Sequence, residues 1–179
     1  MIEKRLNVLM LEDTKTDEVL VKRQLLIAAP NCIISVARNK ADFMEKLEWS
    51  VPDLIISDYN LPDMNGLEAL LYVREKFALL PFIFVTGALN SEEQAAEAIL
   101  HGASGYVLKD NLKQLPEKII EVLHRTEAQN ATALEAERRR REACLSIQKV
   151  MAMIGKAPFF DGKDQINALL GEVLETIDT

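Results

Sequence analysis

Asp53-Leu54-Ile55-Ile56-Ser57-Asp58-Tyr59-Asn60-Leu61-Pro62-Asp63-Met64-Asn65-Gly66 decides the fold. Leu54 to Ile56 is an apolar run without a polar break. That marks a strand buried on both faces, as in a parallel sheet. The run closes on an acid, Asp58, and Asn60, Pro62, Asn65 and Gly66 then write a loop. An acid at the carboxyl end of a central parallel strand stands where open α/β sheets place their ligand sites. A lone Asp would be no more than a turn residue. Three companions change that reading. Glu12-Asp13 follows Val8 to Leu11, Thr86 closes Phe82 to Val85, and Lys109 closes Tyr106 to Leu108.

Outward from that stretch, strand and helix patterns alternate. Strands are expected at Leu6–Leu11, Cys32–Ala37, Leu54–Ile56, Pro81–Val85 and Gly105–Leu108. Thr16 or Asp17 is expected to cap the first helix, which Pro30-Asn31 stops. Asn39 caps a second helix, and Trp49 is expected to pack at its end. Asn65 caps a third, with Glu68 three residues on. Ser91-Glu92-Glu93-Gln94 reads as a capping box for the fourth, and Gly102 as its left-handed terminus. The alternation gives an α/β fold, a flavodoxin-like five-stranded parallel sheet of order 2-1-3-4-5 flanked by helices. Strands 1 and 3 then meet at the switch point, with Glu12, Asp13 and Asp58 in one crevice.

The chemistry follows from those residue types. Clustered carboxylates are costly unless a cation neutralises them. Hard oxygen ligands suit Mg²⁺, which takes one or two carboxylates directly and keeps waters. Asp13 and Asp58 are the expected direct ligands, with the backbone carbonyl of Asn60 as a third and Glu12 acting through water. A carboxylate can also attack phosphorus and form an acyl phosphate, which assigns that role to Asp58. Lys109 offers a point charge to a phosphoryl oxygen, or pairs with Asp58 while the site is empty. The Thr86 hydroxyl can donate to another oxygen. No Ser, Cys or His triad pattern competes.

Residues 6–124 resemble the receiver domain of two-component response regulators, the type fused at the N-terminus of larger signalling proteins. The resemblance rests on Glu12-Asp13, Asp58 to Gly66, Thr86-Gly87 and Tyr106 to Lys109. It implies phosphoryl transfer to Asp58 from a histidine kinase or phosphotransfer protein, and a switch formed by Thr86 and Tyr106. It implies a signalling domain rather than an enzyme, with slow self-dephosphorylation at most. One departure is Asp110, where receivers often carry Pro. A cis bond without Pro costs ~3–4 kcal/mol, so a trans bond or an unusual loop is expected. Two other readings stand beside this one. A Mg²⁺-dependent phosphatase of similar layout typically needs an acid at position 60, which is Asn. A receiver used only for assembly would not need the full set of site residues.

The net charge of −7 and pI near 5.0 argue against nucleic acid. The acidity belongs to residues 1–111, with 17 acids and 11 bases, against 11 and 10 in residues 112–179. Two cysteines make no disulfide framework, and no signal peptide or membrane span is visible, so a cytoplasmic location is expected. The receiver is assigned to residues 1–124 and a helical extension to 125–179, leading to a sensory or output domain beyond. Glu117 to Ile154 holds no Gly or Pro and reads as one long helix. Ile119, Val122, Thr126, Gln129, Ala133, Ala136, Arg140, Ala143, Ile147, Val150 and Ile154 keep a 4-3 spacing. That suggests a thin seam for a parallel homodimer through the C-terminal helices. Ile166, Leu169, Leu170, Val173, Leu174 and Ile177 form a second amphipathic stripe. The run Arg138 to Arg141 reads as a solvated helix face.

Overall fold

A computed structural model describes residues 1–87, 91–156, 158 and 162–178, with backbone alone for 91–94 and 178. The elements run β1 (Asn7–Leu11), α1 (Lys15–Ala28), β2 (Ile33–Ala37), α2 (Lys40–Trp49), β3 (Leu54–Ser57), α3 (Gly66–Lys76) and β4 (Phe82–Thr86). Then come α4 (Ser91–Leu100), β5 (Gly105–Leu108), a 3₁₀ segment Lys109–Gln114, α5 (Leu115–Lys156) and α6 (Lys163–Asp178). The strands form one parallel sheet in the order β2-β1-β3-β4-β5. The expected topology holds.

The apolar strand runs have a direct cause. Alternate strand residues point to opposite faces, and both faces are covered. Val8, Met10, Leu54, Ile56, Ile83, Val85 and Val107 meet α1 and α5 through Val21, Leu25, Ile119, Val122 and Leu123. Leu9, Leu11, Ile55, Phe82 and Phe84 meet α2 and α3 through Phe43, Leu47, Ala69, Leu70 and Val73. The register then aligns the strand ends. Leu11 pairs with Ser57 and Thr86 with Leu108, so Glu12, Asp58, Thr86 and Lys109 emerge along one edge.

Two caps match the sequence reading. The Asn39 side chain accepts from the Asp42 amide, and the Asn65 side chain from the Leu67 amide. Gly102 has φ of 92°, the left-handed turn that ends α4. The proposed capping box at Ser91–Gln94 lies outside the described side chains.

Three expectations fail, each for a physical reason. The N-cap of α1 is Thr14, so Asp17 is the third helical residue rather than a cap. A carboxylate in the first turn complements the helix dipole. Trp49 is 85% exposed. Phe43 and Leu47 carry the core stripe of α2, and a residue two beyond Leu47 lies roughly 200° round the helix. Its ring lines a cavity with Asn7, Val8 and Pro52, near the starts of β1 and β3 and away from the acidic edge. Finally, Ile119 and Val122 are wholly buried on the sheet, so the first two seam positions are spent on the core of residues 1–127. Full burial of each is worth ~2 kcal/mol, more than a seam diluted by Ala can return.

The chain divides into Met1–Glu127 and Ala128–Thr179. α5 spans 42 residues, two more at its start and two more at its end than the Glu117–Ile154 run. Pro116 is its second residue, where the missing N–H costs nothing. In the second unit, half-buried positions fall at Cys144, Ile147, Met151 and Ile154 on α5, and at Asn167, Leu170, Leu174 and Ile177 on α6. Lys163 Nζ donates to the Gly155 carbonyl at 3.2 Å. Among the described residues no peptide bond is cis, so the Lys109–Asp110 link is trans. No described helix is long and apolar enough to cross a membrane.

Candidate functional site

The site is built by four strand ends and one helix. Lys109, the first residue after β5, extends its ammonium into a group of carboxylates. Nζ donates to Asp58 Oδ2 at 2.7 Å, Glu12 Oε2 at 3.0 Å and Asp17 Oδ2 at 2.5 Å. One carboxylate oxygen from each of Glu12, Asp17 and Asp58 lies within 4.8 Å of the others. Burial raises the Glu12 pKa, and contact with Lys109 offsets part of that rise. Burial would lower the Lys109 pKa, but hydrogen bonds to Asp17, Asp58 and Glu12 outweigh it and hold the ammonium above its usual range.

Local geometry fixes Asp58. Its amide donates to the Leu11 carbonyl at 2.9 Å, locking β3 to β1 at the edge. Its Oδ1 accepts from the Asn60 amide at 3.2 Å. Gly66 closes the loop by donating to the Tyr59 carbonyl at 2.9 Å. A Cβ on Gly66 would lie 2.5 Å from the Asp58 carbonyl oxygen and 2.8 Å from the Phe84 ring, so only glycine lets the loop return this closely.

Thr86 and Tyr106, the two residues expected to form a switch, lie on β4 and β5. Thr86 is fully buried, and neither its Oγ1 nor the Tyr106 hydroxyl has a hydrogen-bond partner among the described residues. Two orphaned hydroxyls are unusual, since buried polar groups are nearly always paired. Burial, and then the charge of Asp58, raise the Tyr106 pKa. Tyr59, next to Asp58, is buried against Phe84 with ring centroids 5.3 Å apart, and its hydroxyl donates to Glu97 on α4 at 2.7 Å. Burial and that acid push its pKa to about 12.

The structure therefore brings Glu12, Asp58 and Lys109 into contact, with Thr86 at the next strand end and Tyr106 on the neighbouring strand. Asp13 is exposed and is not a member of the close carboxylate group. Asn60 contributes its amide to Asp58. Sequence reasoning missed Asp17. Its signal was available in Thr14, which can cap a helix two residues earlier than Thr16 and turns Asp17 towards the strand ends.

A doubly wound parallel sheet with an acid at its switch point and a lysine salt-bridged to it defines an α/β domain whose polar groups gather where such sheets place their ligand sites. The model of the response regulator receiver domain matches residues 8–120, and the chain belongs to that family. Receiver domains are signalling modules of two-component systems. The nitrate/nitrite response regulator protein NarL of Escherichia coli K12 is 39% identical over 115 residues, 64% of this chain and 51% of NarL. The regulatory protein LuxO of Vibrio cholerae is 35% identical over 100 residues, 56% of this chain and 21% of LuxO. The chain thus spans about half of one relative and a fifth of the other. Among solved structures, the receiver domain of a LuxO repressor protein from Vibrio parahaemolyticus superposes with TM-score 0.64 and 26% identity, covering 72% of this chain and 98% of that one. A CheY-like receiver domain from Methanospirillum hungatei gives TM-score 0.61 and 28% identity, covering 72% and 99%.

Proposed function

We propose that residues 1–124 accept a phosphoryl group on Asp58 from a histidine kinase or phosphotransfer protein, in a Mg²⁺-dependent reaction. The observation that carries this is Lys109 Nζ on Asp58 Oδ2, beside the orphaned Thr86 hydroxyl. An Asp58 oxygen attacks phosphorus in line, the O–P bond forms, and the donor's bond to phosphorus breaks with its electron pair leaving on the donor. Lys109 transfers its contact from the carboxylate to a phosphoryl oxygen. Thr86, freed of other partners, donates to a second oxygen, and Tyr106 responds to the vacated space.

The donor set fits a hard divalent ion, being carboxylates and carbonyls with no sulfur or imidazole. Asp13 and Asp58 would bind directly, the Asn60 carbonyl would join them, and Glu12 would act through water. Bound there, Mg²⁺ would draw charge from the phosphoryl oxygens during transfer. The test is intact mass after treatment with a small phosphodonor and Mg²⁺. Wild type gains one phosphoryl group and Asp58→Asn none; equal labelling of both ends the assignment.

The same reading makes residues 125–179 a helical linker that pairs in a parallel homodimer and leads to a sensory or output domain. What supports it is apolar surface left open in that unit, at Leu145, Val150 and Met153 on α5 and at Ile166, Leu169 and Val173 on α6. Light scattering should find residues 1–179 dimeric and residues 1–125 monomeric. A monomer at tens of micromolar for the longer chain would refute the pairing.

A further inference from the structure

We propose that Asp17 is a positioning residue of the phosphoacceptor site: it holds Lys109 and matches its charge, leaving Asp58, with Asp13 beside it and Glu12 through water, free to face a divalent cation. The inference rests on the phosphoacceptor reading above. Three carboxylates meet one ammonium, so the group carries two net negative charges. Lys109 cannot stay on Asp58 Oδ2 when that oxygen turns to a metal or to phosphorus. It needs another anion within reach, and Asp17 is already in contact.

Asp17 is suited to this by its place. It comes from the first turn of α1, not from a strand end, so its position does not depend on the loop that carries Asp58. Lys15 and Lys22 of the same helix, and Arg38 just after β2, are committed elsewhere: all three converge on Glu18. Among the described residues Lys109 is the one cation in an ion pair with Asp17. Without Asp17, the ammonium would draw on Glu12 and Asp58 alone and oppose an incoming cation.

The experiment is a double-mutant cycle on the unphosphorylated chain, with Mg²⁺ alone as probe and calorimetry as readout. Asp17→Asn should weaken Mg²⁺ binding roughly tenfold in the wild-type background and less than about twofold in Lys109→Gln, the non-additivity expected of contacting residues. Asp17→Glu should restore most of the affinity. An equal loss in both backgrounds would make Asp17 a direct ligand, and no loss in the wild-type background would remove it from the site; either overturns the proposal. Lys109→Met replaces Lys109→Gln if thermal unfolding shows the latter unfolded. Phosphoryl labelling of wild type is read separately, so failure to label strikes the phosphoacceptor reading while the Mg²⁺ cycle alone decides Asp17.

Discussion

Replacing Lys109 by Met should expose the cost of the carboxylate group in the absence of metal. The side chain keeps its length but loses its charge, and Glu12, Asp17 and Asp58 lose their shared partner. Removing one partner of a buried pair costs ~3–5 kcal/mol. Here a ceiling applies, because a carboxyl can take a proton instead. Holding one neutral near pH 7.5 against a reference of 4.5 costs about 4 kcal/mol. Asp17 is also 29% exposed at its side chain, which allows water to relieve some of the repulsion. The expected loss is therefore about 3 kcal/mol near neutral pH, or roughly 10 °C in Tm for a chain of this size.

The pH dependence fixes the mechanism. Glu12 already has a raised pKa in the folded protein, and losing Lys109 raises it further. An acid whose folded pKa lies above its unfolded value binds more protons when folded, so stability falls as pH rises from the unfolded pKa through the folded one. The deficit of Lys109→Met against wild type should be small below about pH 4.5 and grow towards pH 7.5. Urea unfolding with chelator present, across that range, measures it. Mg²⁺ at tenfold over its Kd should return about 1.4 kcal/mol. A variant within ~0.5 kcal/mol of wild type near pH 7.5, or a deficit that ignores pH, would refute the charge argument.

Three further outcomes are expected. Gly66→Ala should cost roughly 2–3 kcal/mol by urea unfolding and slow labelling of Asp58, because two of its three close contacts are backbone atoms of Asp58 and Tyr59. Glu18→Gln should cost about 1 kcal/mol at neutral pH, since Glu18 is 2% exposed beneath three partners that are themselves partly solvated. Those bonds, chiefly from Lys15 and Lys22, hold its pKa at about 2 against 4.5, so its stabilisation is full above pH 4.5 and fades as pH falls towards 2; a difference that persists in full at pH 2 would contradict it. Tyr59→Phe should cost about 1 kcal/mol and remove, from a spectrophotometric titration, the tyrosine ionising near 12; an unchanged titration would mean the hydroxyl is not held by Glu97.

The strand ends were legible because two rules act together. A parallel strand covered on both faces must be apolar throughout, so its first polar residue marks the sheet edge. Glu12, Asp58, Thr86 and Lys109 each follow or close such a run, and the register aligns them. Asp17 was not legible in that way, because a helical residue's direction depends on where the helix starts. With Thr14 as the cap, Asp17 faces the strand ends; with Thr16 it would not. The meeting of Lys15, Lys22 and Arg38 on Glu18 was hidden for a related reason. Arg38 comes from the end of β2, and only the β1–β2 pairing brings it to α1. Trp49 was misjudged from its size, when two neighbours at helical spacing had already claimed the core face.

The tail teaches the complementary lesson. A 4-3 spacing says which face of a helix is apolar, never what covers it. In α5 that one pattern serves two uses in succession. Ile119 and Val122 bury against the sheet, while Ile147 and Ile154 are shaded within the second unit, where Cys144 and Met151 complete the half-buried stripe in place of Ala143 and Val150. Two of its four positions have thus moved by one residue, which turns the stripe's centre by about 50° of helix relative to a seam made of α5 alone. On α6, Asn167 Oδ1 has no solvent access and lies under neighbouring atoms. Val150 is then released to the outside with Ile166, Leu169 and Val173. A second copy would therefore meet both helices of the unit, so the pairing to expect is four-helix packing rather than a two-stranded coiled coil.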